Sequence, residues 1–343
     1  MNNIYETKLA EYLNLATINP HNDDIKYKII KYEQKLNQIG GANISKPIFV
    51  LFNGYGSSDL WFKYQYVSKI KLKKLSFYDE LKKIGDVYSF TSNFFNLNYY
   101  YTADNKTEEK IQKKIIETYK PYTSNIDFNL EDLEIDVLCE KVYADVLKKF
   151  GKLNNRKLIV IGHSYGSEIG IHFTKMYKKH CLFCVSLDGS PHSLDMIKQQ
   201  FNDGVGKKKK MLDSKFSNDT KLQQMLAKIK HDKDNNINVN KEIKLIFDLI
   251  IYKWFEFRLK HFIKKLPVPT LFFKPLHVDD SKTKNKFVPN KERLQEQNDI
   301  AKNNNINDYK FLFFLNAPHY LWFDQKISDE IIMQIKHMID TIH

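Results

Sequence analysis

The sequence predicts an α/β fold, with a mostly parallel central sheet, helices on both faces and a helical insertion. Three observations predict it. Short unbroken apolar runs such as Pro47–Phe52 and Leu158–Ile161 read as strands buried on both faces. Segments with helical apolar spacing lie between such runs, giving the strand–helix–strand order that a parallel sheet needs. After Pro191 the alternation stops for about 75 residues, longer than an ordinary connection.

Composition bounds the answer. At 343 residues the chain can bury a full core, and 42% hydrophobic with 28% charged residues is an ordinary globular mixture. A net charge of +13 brings nucleic acid and anionic membranes into view as partners. The lysines are scattered, however. The dense run Lys207–Lys210 sits beside glycines in an expected loop with no nucleic-acid motif, so it reads as solvated surface and no specific nucleic acid is expected. Cys139, Cys181 and Cys184 make no disulfide framework. The C-x-x-C pair at Cys181 and Cys184 enters an apolar run with no second pair, which argues against zinc. A reducing compartment fits best, and the polar start Met1–Lys8 has no signal-peptide core. No stretch reaches the length of a membrane span. The expectation is a soluble cytoplasmic protein with no metal or organic cofactor.

In chain order, residues 1–44 read as an N-terminal helical extension. Asp23–Asn37 carries Ile25, Ile29, Ile30 and Leu36 at helical spacing and is closed by Gly40-Gly41. The Asn-, Lys- and Ile-rich segment Lys26–Gly41 resembles N-terminal helices of giant DNA virus proteins, which would put the chain in a host cytoplasm or a virion. Residues 45–343 read as the main domain. Its first strand, Pro47–Phe52, leads into Asn53-Gly-Tyr-Gly-Ser-Ser58. Phe77–Lys83 is a short helix and Asp86–Phe90 a strand. Asn93–Tyr101 is an aromatic cluster suited to a satellite core or a pocket wall. Helices are expected over Lys110–Tyr119 and Leu130–Phe150, the latter with Leu133, Val137, Leu138, Val142 and Val146 on one stripe.

Next comes Lys157–Gly166, a strand running into Gly162-His-Ser-Tyr-Gly166, with a helical segment over Ser167–His180. Strand, sharp turn, helix is the context that makes G-x-S-x-G a nucleophile elbow. Glycines two residues either side of Ser164 avoid collisions at a tight, strained turn, and the hydroxyl is left projecting over a helix N-terminus. There the Tyr165 amide can face a developing oxyanion. The glycine-rich loop after the first strand occupies the place of the second oxyanion donor, with Gly54 and Tyr55 as candidates.

Leu182–Leu187 is a further strand, ending in Asp188-Gly-Ser-Pro191. The insertion, about residues 192–266, carries helices over Ser193–Phe201, Lys221–Ile229 and Lys241–Lys265. The last is apolar on more than one face, so it buries against two partners, or against one partner and an acyl ligand. A lid and an ordinary packed subdomain are both compatible with this pattern. Pro267–Lys274 resumes the sheet, a polar loop holds Asp279 and Asp280, and a helix is expected from about Lys291. Lys310–Leu315 is the last strand, followed by the loop that contains His319.

Order then points to chemistry. A serine after a middle strand, an acid after a later one and a histidine after the last is the α/β-hydrolase sequence of parts. His319 is the candidate base. Asp188 and the pair Asp279 and Asp280 are alternative acids, since each follows a strand beyond Ser164 and each can orient an imidazole. The elbow together with Ser186-Leu-Asp-Gly-Ser-Pro191 resembles the thioesterase domains of fatty-acid synthases. That resemblance implies an acyl-thioester hydrolase with Ser164, Asp188 and His319 as its triad, acting on acyl thioesters, esters or lipids. A lipase or esterase, a peptidase and a catalytically silent lipid- or protein-binding module are the alternatives.

Overall fold

The computed structural model describes residues 11, 28, 46–55, 62–68, 71–101, 123–153, 156–189, 194–262, 265–276, 309–315, 317 and 319–342. The chain divides into two units, Met1–Lys46 and Pro47–His343. In the first, Glu11 and Lys28 are helical. The helices expected over 23–37, 110–119 and from 291, the loop residues Gly56–Ser58 and both Asp279 and Asp280 lie outside the described residues, wholly or nearly so.

The second unit is built on six parallel strands. They are β1 (Ile48–Phe52), β4 (Asp86–Phe90), β5 (Leu158–His163), β6 (Cys181–Leu187), β7 (Thr270–Leu276) and β8 (Tyr309–Leu315), in spatial order β4-β1-β5-β6-β7-β8. Every described pairing in this sheet is parallel. The lysine-rich hairpin of β2 (Tyr64–Ser68) and β3 (Lys71–Lys74) stands apart as a two-stranded sheet. Sequence reading missed it, because Lys71-Leu-Lys-Lys74 has one apolar residue and no buried run to mark a strand.

Alternation along the strands sorts the core into two layers. Ile48, Val50, Phe52, Leu158 and Val160 face one way. They pack with α2 (Ile135–Phe150), α3 (Tyr165–Met176) and the insertion helices α4 (Leu194–Asp203), α5 (Lys209–Lys215), α6 (Asp219–Asp234) and α7 (Asn240–Lys260). Phe49, Leu51, Ile159, Ile161, Val185 and Phe273 face the other way, against α1 (Phe77–Ile84), α8 (Gln325–Thr341) and Trp322. Period-two burial with helices on both sides is the arrangement that lets a parallel sheet hide all its apolar surface. The aromatic cluster joins the first layer, with Phe94, Phe95, Leu97 and Tyr100 buried.

Several expectations need correcting. The helix expected over 130–150 is broken: a 3-10 turn at Glu131–Leu133 precedes an extended Glu134, and α2 starts at Ile135. Asn129 and Asp132 close that turn, each side chain accepting from the other's backbone amide. Such local side-chain bonds compete with continuous helix. The Lys207–Lys210 run is helical rather than loop. Gly204 precedes a 3-10 turn, Val205–Lys208, and α5 follows, pinned by buried Val205, Leu212 and Phe216 while the lysines face water. The elbow helix ends at Met176, short of His180, and it is buried nearly all round, His172 and Thr174 included. β7 is shifted to 270–276 from the expected 267–274.

Candidate active site

Parallel strands end at one edge of a sheet, so residues that follow β1, β5, β6 and β8 gather there. Ser164 follows β5 and has φ 51 and ψ −120, a conformation L-residues rarely adopt. The turn is tight enough to require glycine on both sides. A Cβ on Gly166 would lie 2.3 and 2.4 Å from the carbonyl oxygens of Asn53 and Phe52, and one on Gly162 would lie 2.3 Å from the Gly166 carbonyl. These obstacles are backbone and cannot rotate away. Gly166→Ala should therefore destabilise the fold by about 3 kcal/mol or more, visible as a lower urea midpoint. An unchanged midpoint would mean that the elbow is looser than described.

The candidate acid Asp188 follows the neighbouring strand. Ser164 N–H donates to the Leu187 carbonyl (2.9 Å), so the serine sits beside Asp188 across the β5–β6 ladder. Asp188 has φ 50 and donates its own N–H to the Phe273 carbonyl (2.8 Å). Its Oδ2 is in hydrogen-bond contact with His319 Nδ1. On its other side Lys274 Nζ lies 3.7 Å from Oδ1. The structure thus brings Asp188 to His319, and Ser164 to the residue next to Asp188.

The loop after β1 closes the third side. A Cβ on Gly54 would lie 2.8 Å from His163 Nδ1 and 3.2 Å from its Cε1, so it is the His163 ring that a glycine here accommodates, with Ser164 Cβ in ordinary contact at 3.4 Å. Asn53 holds the loop by donating from Nδ2 to the Phe90 carbonyl (2.7 Å) and to Thr91 Oγ1 (3.3 Å). Tyr55 turns toward the insertion and donates its hydroxyl to the Phe247 carbonyl (3.3 Å). Burial and the neighbouring Tyr165 push the Tyr55 phenol well above its ordinary range, so it stays a donor.

Strand order, elbow and the three loops together decide the architecture. The chain has the α/β-hydrolase fold. No protein-family profile matches it, and no curated protein matches it either. Solved structures with a similar course include MenH from S. aureus, at 12% identity over 88% of this chain and 96% of that one, with a TM-score of 0.45. Mouse alpha/beta hydrolase domain-containing protein 10 overlaps at 13% identity, 87% and 92% coverage and a TM-score of 0.46. The Vlm2 thioesterase domain does so at 12%, 86%, 94% and 0.42.

Sequence reading missed a second set of residues here. Glu168, one turn into α3, accepts from Trp254 Nε1 (3.1 Å) and pairs with Arg258 Nε (2.8 Å), both on α7. Arg258 also lies over the Trp254 ring, at 4.6 Å, and the Trp254 ring meets Tyr165 edge-on at 5.0 Å. Glu168 is i+4 from the nucleophile position, and Trp254 and Arg258 are i, i+4 on α7. That spacing was visible in the sequence, but nothing there said that the two faces meet.

Burial raises the Glu168 carboxyl from 4.5 to about 7, against the opposing pull of Arg258 and the Trp254 donor. Between those values the folded chain holds a proton that the unfolded chain releases. Stability from this group is therefore greatest at low pH and is lost as pH rises through about 7. From pH 4.5 to pH 8 the wild type should lose up to about 3 kcal/mol more than Glu168→Gln in urea unfolding. Parallel curves would show Glu168 ionised throughout.

A cavity of about 310 Å³ lies at the end of β4, lined by Phe90–Asn93 and by Lys141 and Asp145 of α2 among others. None of the expected site residues lines it.

Proposed function

We propose that this protein is a serine hydrolase that cleaves acyl esters or thioesters through Ser164, His319 and Asp188. The observation that carries the reading is the contact between His319 Nδ1 and Asp188, formed at the sheet edge where Ser164 stands in its strained turn. With Nδ1–H given to the carboxylate, Nε2 of the imidazole is left to take a proton. Ser164 Oγ then attacks the acyl carbon as its proton passes to His319. The tetrahedral oxyanion is held by the Tyr165 amide at the start of α3 and by an amide of Gly54 or Tyr55. Collapse expels the alcohol or thiol, which leaves with the proton from His319. Water, activated in turn by His319, releases the acid and restores the serine. Each oxyanion donor supplies about 2.7–4 kcal/mol of the barrier reduction.

Asp188 takes the acid's role because it touches His319; Asp279 and Asp280 are the alternatives. The helical insertion serves as a lid, with α7 and Tyr55 forming one apolar wall for the acyl chain. No metal or organic cofactor enters this chemistry. All three cysteines are free, which fits a reducing compartment such as the cytoplasm. Among the described residues no helix is long and apolar enough to cross a membrane.

A fluorophosphonate probe tests the nucleophile. It should add to the peptide that contains Ser164 and to no peptide of Ser164→Ala. A panel of acyl-CoA thioesters, p-nitrophenyl esters and peptide amides then fixes the leaving group, with thioester or ester turnover expected. A folded protein that forms no adduct and turns over nothing would instead favour a binding module.

A further inference from the structure

The residue in front of the nucleophile has no role in the scheme above, yet it is built into the same corner. His163 is 2% exposed and ends β5. Its Nε2 lies 3.1 Å from the backbone carbonyl of His319. A carbonyl can only accept, so Nε2 carries the hydrogen. Around the ring stand His319 at 4.5 Å, Tyr320 at 4.8 Å and Trp322 edge-on at 4.9 Å. On the remaining side is Gly54, where even a methyl group would collide with Nδ1.

We infer that His163 is a positioning residue, which fixes the base-bearing loop to the nucleophile turn by donating Nε2–H to the His319 carbonyl. This inference rests on the proposed hydrolase reading. Position 163 is joined to Ser164 by one peptide bond, so the bond from its ring ties the main chain of the base to the turn that presents the nucleophile. His319 then has two restraints, with Asp188 orienting the ring and His163 holding the backbone. The second matters because the His319 side chain is 52% exposed, and little packing confines it. The charged and titratable groups that face His163 are His319, Lys274 and Tyr320. Burial, with His319 and Lys274 nearby, lowers the His163 imidazole to about 3. It therefore keeps one N–H and one lone pair at every working pH, as a fixed tie requires.

Three variants of the full chain separate this tie from simple packing. His163→Phe keeps an aromatic ring against Tyr320 and Trp322 but removes the donor. His163→Asn places an amide near the Nδ1 position, short of the carbonyl. His163→Gln extends its amide to where Nε2 stood. With p-nitrophenyl butyrate as probe substrate, Phe and Asn should lower kcat on the order of 100-fold with KM unchanged. Gln should recover most of that loss. Hydrogen exchange of the peptides covering His319–Asp324 should quicken in the Phe and Asn variants and return toward wild type in Gln. Equal kcat and equal exchange in all three, with a normally active wild type, would overturn the inference. So would a loss in Phe that Gln does not relieve, since that describes packing. If His163→Phe fails to fold, the contrast between Asn and Gln still decides. A wild type inert toward every ester and thioester would overturn the hydrolase reading and the catalytic meaning of the tie. The exchange data would then report only whether the bond exists.

Discussion

Ser164→Ala should lower turnover of an activated ester about a millionfold, with substrate binding little changed. The size follows from what the hydroxyl does in the proposed reaction. Without it there is no acyl-enzyme, and the oxyanion donors and His319 are left to assist only direct attack by water. The substitution costs little in structure, because the strain at φ 51 belongs to the backbone and alanine bears it as serine does. Urea unfolding should show a near-normal midpoint, which separates a chemical defect from a folding one. Residual turnover within about 100-fold of wild type would remove Ser164 from the nucleophile's role.

Asp188→Asn should lower kcat about 10,000-fold while leaving the fold intact. In the proposed reaction the carboxylate orients His319 with Nδ1 protonated and stabilises the imidazolium that forms when Ser164 gives up its proton. An asparagine amide can present its NH₂ group to Nδ1 instead, selecting the opposite tautomer and leaving no base facing the serine. Lys274, 8% exposed and 3.7 Å from Asp188, also loses that neighbouring negative charge, which should lower the urea midpoint somewhat without unfolding the chain. Asp280→Asn is the comparison, with near-normal kcat expected. The reverse ranking would transfer the acid's role to the loop after β7.

Much of this architecture was legible in the residues. The strands β1, β5 and β6 announce themselves as unbroken apolar runs, because strands covered on both faces have no polar side to show. The elbow is legible since its glycines stand at fixed places two residues either side of Ser164, although the backbone that excludes a side chain at Gly166 belongs to Phe52 and Asn53, far away in the sequence. Asp188 and His319 were legible as strand-following residues and were paired by the thioesterase resemblance, but spacing alone left Asp279 and Asp280 open, because 131 residues separate Asp188 from His319 and only the fold closes that distance. His163 was hidden in the variable position of the motif. Its partner is a backbone carbonyl, which carries no residue identity for a sequence to display. In the β2–β3 hairpin, β3 was missed for a different reason, since a strand with one apolar residue leaves no period to read.

The pairing of Glu168 with Arg258 has a consequence for how a substrate would reach Ser164 in the proposed reaction. Swinging α7 away from α3 would strip a guanidinium, itself 4% exposed, of its carboxylate and of the indole beneath it. Where Glu168 is ionised, breaking such a pair costs about 3–5 kcal/mol, so the separated arrangement is sparsely populated. Above about pH 7 the longest helix of the insertion should therefore stay as a jamb, with the proposed lid opening elsewhere on its rim.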